Sequence, residues 1–387
     1  MNQNIDILLD MIKSQIDGTP CDVSRFLALS PEEQQALAAV AKSQSLAQFL
    51  GNALGKAPEA AGLPITGALV RESMVALSYT LKIEKERKAI CRVFEQAHIP
   101  YIQLKGARIR PYYPEVWMRT SCDNDILVHE EELEKATQLL VDQLGYKAGF
   151  KDHHDISLYS KNDIHLELHF TINGNHDRIN QVLNHVWDEE NISHVPDSCE
   201  VLQSNEHFLF HIIAHTANHF LGGGCGMRPL VDLYLLRKKM PFDEEKLMDL
   251  CEQAGIDQFY RNLLLLIHIW FEHGTHTPVT EHMEEFILSG GVYGTKRNRV
   301  AVAQHTTGRK AGCIRYQVFL PFDQLCRMYP NLRNHAWLMP VYQVLRWSRL
   351  VFKGRYKKIQ NDIKLINSFD ADYSDGIEQM LRENNLL

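Results

Sequence analysis

The segment Ile164-His165-Leu166-Glu167-Leu168-His169-Phe170 alternates apolar and polar residues without a break. Successive side chains of a strand point to opposite faces, so a period of two marks a half-buried strand and does not fit an amphipathic helix. Ile164, Leu166, Leu168 and Phe170 form the dry face, and His165, Glu167 and His169 form the other. Asn124 to Val128 reads as another strand, with Asp123 at its start and Asp125 inside it. Residues two apart share a face, so the two aspartates project together while Ile126 and Val128 turn into a core.

The neighbouring pattern completes a small α/β unit. Tyr101-Ile102-Gln103-Leu104 is a short strand leading into Lys105-Gly106. Glu130 to Leu144 is helical and closed by Gly145. Ile156 to Tyr159 is a further strand, joined to the alternating one by Lys161-Asn162-Asp163 in turn position. Before this unit the apolar spacing is helical, with a capping box at Ser30-Pro31-Glu32-Glu33 and a long helix from about Thr66 to Ala97. From about Asn205 the helical period returns, broken at Gly222-Gly223-Gly224, around Gly290-Gly291, and near Pro321 and Pro330. The glycine run is expected to be a flexible loop, with a phosphate cradle as the alternative that lacks a preceding strand. The expected fold is α+β: a small mixed β-sheet domain over 91–200, flanked by a helical segment over 1–90 and a helical domain over 201–387.

Composition removes several functions. A net charge of -7 over 387 residues argues against a protein that coats nucleic acid by bulk electrostatics. Eight scattered cysteines with no C-x-x-C pair read as reduced thiols, not a disulfide frame. The longest apolar run, around Leu263 to Phe271, is interrupted by His268 and too short to span a bilayer. MNQNIDILLD carries acid where a signal peptide needs a basic start, so the expected location is cytoplasmic, without membrane association.

Two carboxylates on one face repel unless a cation or protons sit between them, and hard divalent ions prefer such oxygen ligands. Taken alone, Asp123 and Asp125 also read as a solvated strand end. Glu167 adds a third carboxylate on the polar face of a strand in the same sheet. If the strands are neighbours, the three acids converge and suit two metal ions about 3.5–4 Å apart, the arrangement used for phosphoryl or nucleotidyl transfer; if not, Glu167 belongs to an ordinary half-exposed strand. Gly106, after a strand, lets backbone approach a ligand, and Lys105 and Arg119 add positive charge beside the acids.

Together these residues resemble the nucleotidyltransferases of the DNA polymerase beta superfamily. The elements are Leu104-Lys105-Gly106-Ala107, then Asp123-Asn124-Asp125, then Glu167. More closely, the chain looks like an uncharacterised bacterial nucleotidyltransferase-like family with L-K-G, R-x-x-x-D-x-D and a later acid-x-His strand. Those motifs stand here as Leu104-Lys105-Gly106, Arg119 to Asp125, and Glu167-Leu168-His169. His211 to Arg237, with Arg228 and Asp232, and Pro321 to Trp347 look like that family's helical portion, so the resemblance spans most of the chain after about residue 85. It implies a nucleotidyltransferase-type domain in which Asp123, Asp125 and Glu167 hold Mg²⁺ (or Mn²⁺) on a nucleoside triphosphate. Lys105, the Gly106 backbone and Arg119 would hold phosphate oxygens, and Glu167 would help activate an acceptor hydroxyl on a small molecule or a protein. A non-catalytic nucleotide-binding module and an RNA-directed enzyme are the alternatives, the acidic net charge disfavouring nucleic acid. Two departures stand out: Ala107 occupies the position of the superfamily's hydroxyl residue, and Asn124 replaces a usually apolar middle residue, which suggests an edge or less buried strand.

His207, His211, His215 and His219 recur every four residues, one stripe on a helix. The stripe reads as a metal site, a polar lining of the substrate cleft, or a face packed on neighbouring segments. Lys296 to Lys358 is locally basic and includes Trp347, Phe352 and Tyr356. It reads as a solvated face, or as a seat for RNA or a nucleotide tail.

Overall fold

A computed structural model gives the fold and describes residues 4–172, 174, 176–291, 294–306, 318–352 and 371–387. Five strands make one mixed sheet: β1 (Tyr101–Gln103), β2 (Asp123–Val128), β3 (Lys147–Lys151), β4 (Asp155–Tyr159) and β5 (His165–His169). Their spatial order is β1-β2-β5-β4-β3. β2 and β5 run parallel, and the other pairs are antiparallel. A separate hairpin joins β6 (Ile192–His194) and β7 (Val201–Gln203). Helices surround the sheet, so the fold is α+β with helical flanks on both sides.

Before the sheet come α1 (Ile5–Asp17), α2 (Ser24–Leu27), α3 (Pro31–Ser43), α4 (Ala47–Lys56) and α5 (Pro64–Ala97). Within and after it come α6 (Lys105–Ile109), α7 (Leu133–Leu144) and α8 (Asp177–Leu183). The helical portion continues through α9 (Asn205–Leu221), α10 (Arg228–Lys239), α11 (Glu244–Ala254), α12 (Asp257–Glu272), α13 (Pro278–Gly290) and α14 (Lys296–Thr306). Further helices cover Phe322–Met328, Met339–Phe352 and Ala371–Glu383. Among the described residues no helix is long and apolar enough to cross a membrane.

Local chemistry explains the boundaries. The Ser30 hydroxyl accepts from the Glu33 amide while the Glu33 carboxylate accepts from the Ser30 amide, which satisfies two amides that a helix start leaves unpaired. Gly145 ends α7 at φ 68°, the left-handed conformation that costs glycine least. In the β4–β5 turn the Ser160 hydroxyl accepts from the amides of Asn162 and Ile164, both at 3.1 Å. The glycine run after α9 is not a free loop. Gly223 and Gly224 have φ values of 106° and 122°, and a Cβ on Gly223 would come within 2.5 Å of the Arg299 Cα on α14. The run is a packed turn because only a chain without Cβ atoms passes that closely.

One apolar core fills the back of the sheet, where Ile126, Val128, Leu166 and Leu168 meet Ile90 and Phe94 of α5 and Leu133, Ala136 and Leu140 of α7. A larger core runs from α1 and α4 through α9, α10, α12 and α13 to Met380 and Leu381. The expectation that Asn124 marks an edge or exposed strand is corrected. β2 lies between β1 and β5, and Asn124 is buried beneath α5, with its amide 3.4 Å from the Ile83 carbonyl. Of the basic stretch, Arg309, Lys310, Arg315, Lys353, Arg355, Lys357 and Lys358, with Tyr356, lie outside the described residues.

Two buried polar ties join the sheet and N-terminal helices to the helical portion. The Arg119 guanidinium donates to both carboxylate oxygens of Asp232 on α10, each at 2.9 Å, and the Tyr113 hydroxyl donates to the same carboxylate at 2.6 Å. Gln44, fully buried after α3, accepts from the Met227 amide at 2.8 Å and donates to the Ile287 carbonyl at 3.4 Å. Breaking one side of a buried ion pair leaves an uncompensated charge, so Asp232→Leu is expected to lower unfolding stability by about 3–5 kcal/mol. Adding Arg119→Met to it should return part of that loss in urea titrations; a double variant worse than Asp232→Leu alone would contradict this account. Gln44→Leu strands a buried donor and a buried acceptor and should cost about 1–3 kcal/mol for each in the same assay.

Candidate active site

The site follows from one pairing. In the parallel register of β2 and β5, Asp123 lies opposite His165, Asp125 opposite Glu167, and Leu127 opposite His169. Because the back of both strands is apolar, this register turns every one of those polar side chains to the other face. β4 extends the row, with Ser157 opposite Glu167 and Asp155 opposite His169. Donor atoms of Asp125, Glu167 and His169 lie within 4.8 Å of one another, as do those of Asp123, His165 and Glu167. Each group could hold a metal ion, and Glu167 belongs to both.

The charges of this cluster are interdependent. The Lys105 Nζ lies 4.0 Å from Asp125, and the His169 Nε2 lies 3.2 Å from Asp125 and 3.5 Å from Glu167. Burial alone would push the Asp125 carboxyl up, but Lys105 and the His169 hydrogen bond outweigh it and hold the group well below the ordinary carboxylate range. Burial, then the charges of Asp125 and Glu167, push the Asp123 carboxyl the other way. Burial opposes charge on His169 too, yet its hydrogen bonds to Asp125 and Glu167 keep its pKa above the ordinary value.

Lys105 enters between β1 and α6 with φ 33°, in the left-handed region that a lysine adopts only under constraint. Gly106 has a different role: a Cβ there would sit 3.0 Å from one Arg119 nitrogen and 3.4 Å from one of Arg110. Its missing side chain lets the backbone pack over two guanidinium groups. Arg119 lines the site, but its fork faces Asp232. A cavity of about 270 Å³ opens beside the acids, bordered by Lys105, Ser121, Asp123, Asp125, Glu167 and Arg228 among others. Arg228 donates to the Thr120 carbonyl at 2.9 Å, and its Nε has no partner among the described residues.

α9 lies across the polar face. His211 and His215 line one cavity beside the acids, and His215 and His219 line the other. The deepest of the four histidines, His207, instead pairs with the Gln203 side chain at 3.0 Å. The Nε2 atoms of His215 and His219 are 3.0 Å apart. Burial, then the positive charge of Lys105, lowers His211, His215 and His219, the last to about 4. These rings are therefore neutral near pH 7, able to donate and accept one hydrogen bond each.

The structure thus brings Asp123, Asp125, Glu167, Lys105, Gly106 and Arg119 to one place. Sequence reasoning about the site did not weigh Arg228, Ser121 or His169 as site residues. Arg228 had been noted only as part of a family-like helix, and the signal for His169 was its place on the polar face of the alternating strand.

No curated protein and no solved structure matches the chain. The profile of a family described as uncharacterised nucleotidyltransferase matches residues 30–272, beginning well before the motif-bearing region and ending before the Pro321–Trp347 segment. The match spans more than half of the sequence and includes all three carboxylates, Lys105, Arg119 and Arg228, and the chain therefore belongs to this nucleotidyltransferase family.

Proposed function

We propose that the protein is a metal-dependent nucleotidyltransferase of the cytoplasm that moves a nucleoside monophosphate from a nucleoside triphosphate to an acceptor hydroxyl. The observation that carries the reading is the β2–β5 register, which sets Asp125 beside Glu167 with Asp123 next on the same face. Three half-buried carboxylates share one face of the sheet, and burial, then the charges of Asp125 and Glu167, raises the pKa of Asp123. The donor set is hard oxygen, which suits Mg²⁺ or Mn²⁺, with Asp123, Asp125 and Glu167 as the residues that would hold it. When bound, the ion supplies charge neutralisation on the triphosphate.

The chain's own groups account for the rest. Lys105 and Arg228 border the cavity where phosphate oxygens would lie. Arg119, held at both ends of its fork by Asp232, fixes the floor of that cavity without reorganising. Ser121 and Thr120 add hydroxyls at the rim. In the reaction the acceptor oxygen bonds to the α-phosphorus while the bond from that phosphorus to the bridging oxygen breaks. Pyrophosphate leaves with the electron pair, and the hydroxyl proton passes to water. The contribution of this site is positioning and preorganised charge.

The test pairs activity with binding. Asp123→Asn with Asp125→Asn should lower pyrophosphate release from labelled triphosphates by at least about a hundredfold, the scale of losing one preorganised charge-stabilising group. The same variant should lose the rise in melting temperature that Mg²⁺ plus triphosphate gives the wild type, while unfolding as cooperatively without them. A wild-type protein that gains stability from Mg²⁺ and triphosphate, yet releases no pyrophosphate across a broad acceptor panel, would establish a binding module instead.

A further inference from the structure

Two cavities meet at the acid cluster, and their chemistry differs. The first holds both aspartates and the Arg119 and Arg228 guanidiniums. The second, about 200 Å³, is walled by His154, His169, His211, His215 and Asn218, with Leu104, Ile172 and Leu183 behind them. Lys105, Glu167 and His215 border both. We infer that the histidine-walled cavity is the acceptor subsite, and that the acceptor is a small, uncharged, polyhydroxylated molecule. This rests on the transferase reading above and deepens it.

Three observations carry the assignment. The first is the division of charge. A triphosphate needs several cationic contacts, and the second cavity offers Lys105, which the first shares and Asp125 already faces at 4.0 Å, and His169, which is committed to Asp125 and Glu167. The second observation is the hydrogen-bonding character of the wall. A neutral imidazole donates once and accepts once, and so does a hydroxyl, so the His211 and His215 rings on this wall suit a polyol better than a phosphate or an ammonium group. His211 is 1% exposed and borders this cavity, yet its Nδ1 has no partner among the described residues. His154 also borders the cavity, and its Nδ1 is likewise unpartnered among the described residues. A buried polar atom left unpaired costs free energy, so two such atoms on residues of one cavity mark it as polar space short of a hydrogen-bonding partner.

The third observation is size and shape. The cavity equals roughly six or seven waters at about 30 Å³ each, the scale of a single sugar ring or a short polyol. Leu104, Ile172 and Leu183 offer an apolar wall to the C–H face of such a ring. Glu167, bordering both cavities, places the acceptor next to the acids. Transfer then forms one phosphate ester on an acceptor hydroxyl and breaks one phosphoanhydride; pyrophosphate carries off the electron pair and the proton goes to water.

The test fills the second cavity and leaves the first alone. Ile172→Trp, at the cavity edge, and Leu183→Trp, deeper on α8, are two independent fillers, each checked for cooperative unfolding. The probes are labelled triphosphates with Mg²⁺ and a panel of uncharged polyols: glycerol, inositol and simple hexoses. In the wild type at least one polyol should raise pyrophosphate release tenfold or more and become labelled. It should also bind, by calorimetry, in the presence of Mg²⁺ and a non-hydrolysable triphosphate. Each folded filler should raise the KM for that polyol at least tenfold, while the Mg²⁺-dependent stabilisation by triphosphate stays within twofold in apparent affinity. Label appearing on protein or RNA with the polyols inert, or fillers that leave polyol transfer unchanged, overturns the acceptor assignment and leaves the transferase reading standing. A wild type that releases no pyrophosphate with any acceptor overturns both.

Discussion

The site depends on the parallel pairing of β2 with β5. A strand repeats every two residues, so a slip of one position would send Asp123 and Asp125 into the core and bring Asn124 and Ile126 to the front. What forbids the slip lies on the opposite face. Ile126, Val128, Leu166 and Leu168 are each 1% exposed or less, sealed against α5 and α7. Apolar burial on the back therefore holds three mutually repelling carboxylates together on the front. The repulsion is met locally: Lys105 and His169 offset the charge of Asp125, while burial, then the charges of Asp125 and Glu167, raises the pKa of Asp123. Under the proposed function, a cation at this site would offset the remaining charge of the acids.

The helical portion completes the pocket from above. α9 presents three of its four histidines to the two cavities, and α10 brings Arg228 to the rim with Asp232 one turn later. Asp232 then takes the fork of Arg119. A buried ion pair of this kind contributes little net stability relative to an apolar replacement. Its effect is geometric: it fixes how the sheet and α10 sit on each other, and so how far Arg228 stands from the acids. The same pair explains Gly106, whose absent side chain makes room for the guanidiniums of Arg119 and Arg110 beneath the Lys105 turn.

Much of this was legible in the chain, because the informative signals are local. The alternation in Ile164–Phe170 gave a strand with one dry face, the acids two apart gave a shared direction, and the four-residue histidine spacing gave one stripe. The capping box at Ser30 and the glycine stop at Gly145 gave helix ends that the structure keeps. β3 escaped because Lys-Ala-Gly-Phe-Lys is exposed along its whole length, so burial imposes no period on it. β6 and β7, three residues each, are too short to have one. The role of Arg119 was legible only as charge. That its partner is Asp232, 113 positions away, is a property of packing that no spacing encodes. The glycine run looked flexible because glycine permits freedom; here it permits close approach to α14 instead.

Asn124 joins these threads. Its position between the two aspartates calls for an apolar residue by the usual pattern, and its burial makes the polar side chain more costly still. The α5 helix accounts for it. From α5, the Ile83 carbonyl meets the Asn124 amide at 3.4 Å, the Tyr79 hydroxyl donates to the Cys122 carbonyl at 3.1 Å, and Glu84 accepts from Arg110 at 2.7 Å. Arg110 in turn donates to the Ser121 hydroxyl, which donates to the Asp123 carbonyl at 3.1 Å. Residues 121–124 are thus pinned to one long helix by direct and relayed hydrogen bonds. A loop carrying a repelled carboxylate would otherwise relax outward and separate Asp123 from Asp125. Asn124 gives up apolar packing for a directional contact at the point where that relaxation would start, so α5 acts as a splint that keeps the acid pair closed before any ion arrives.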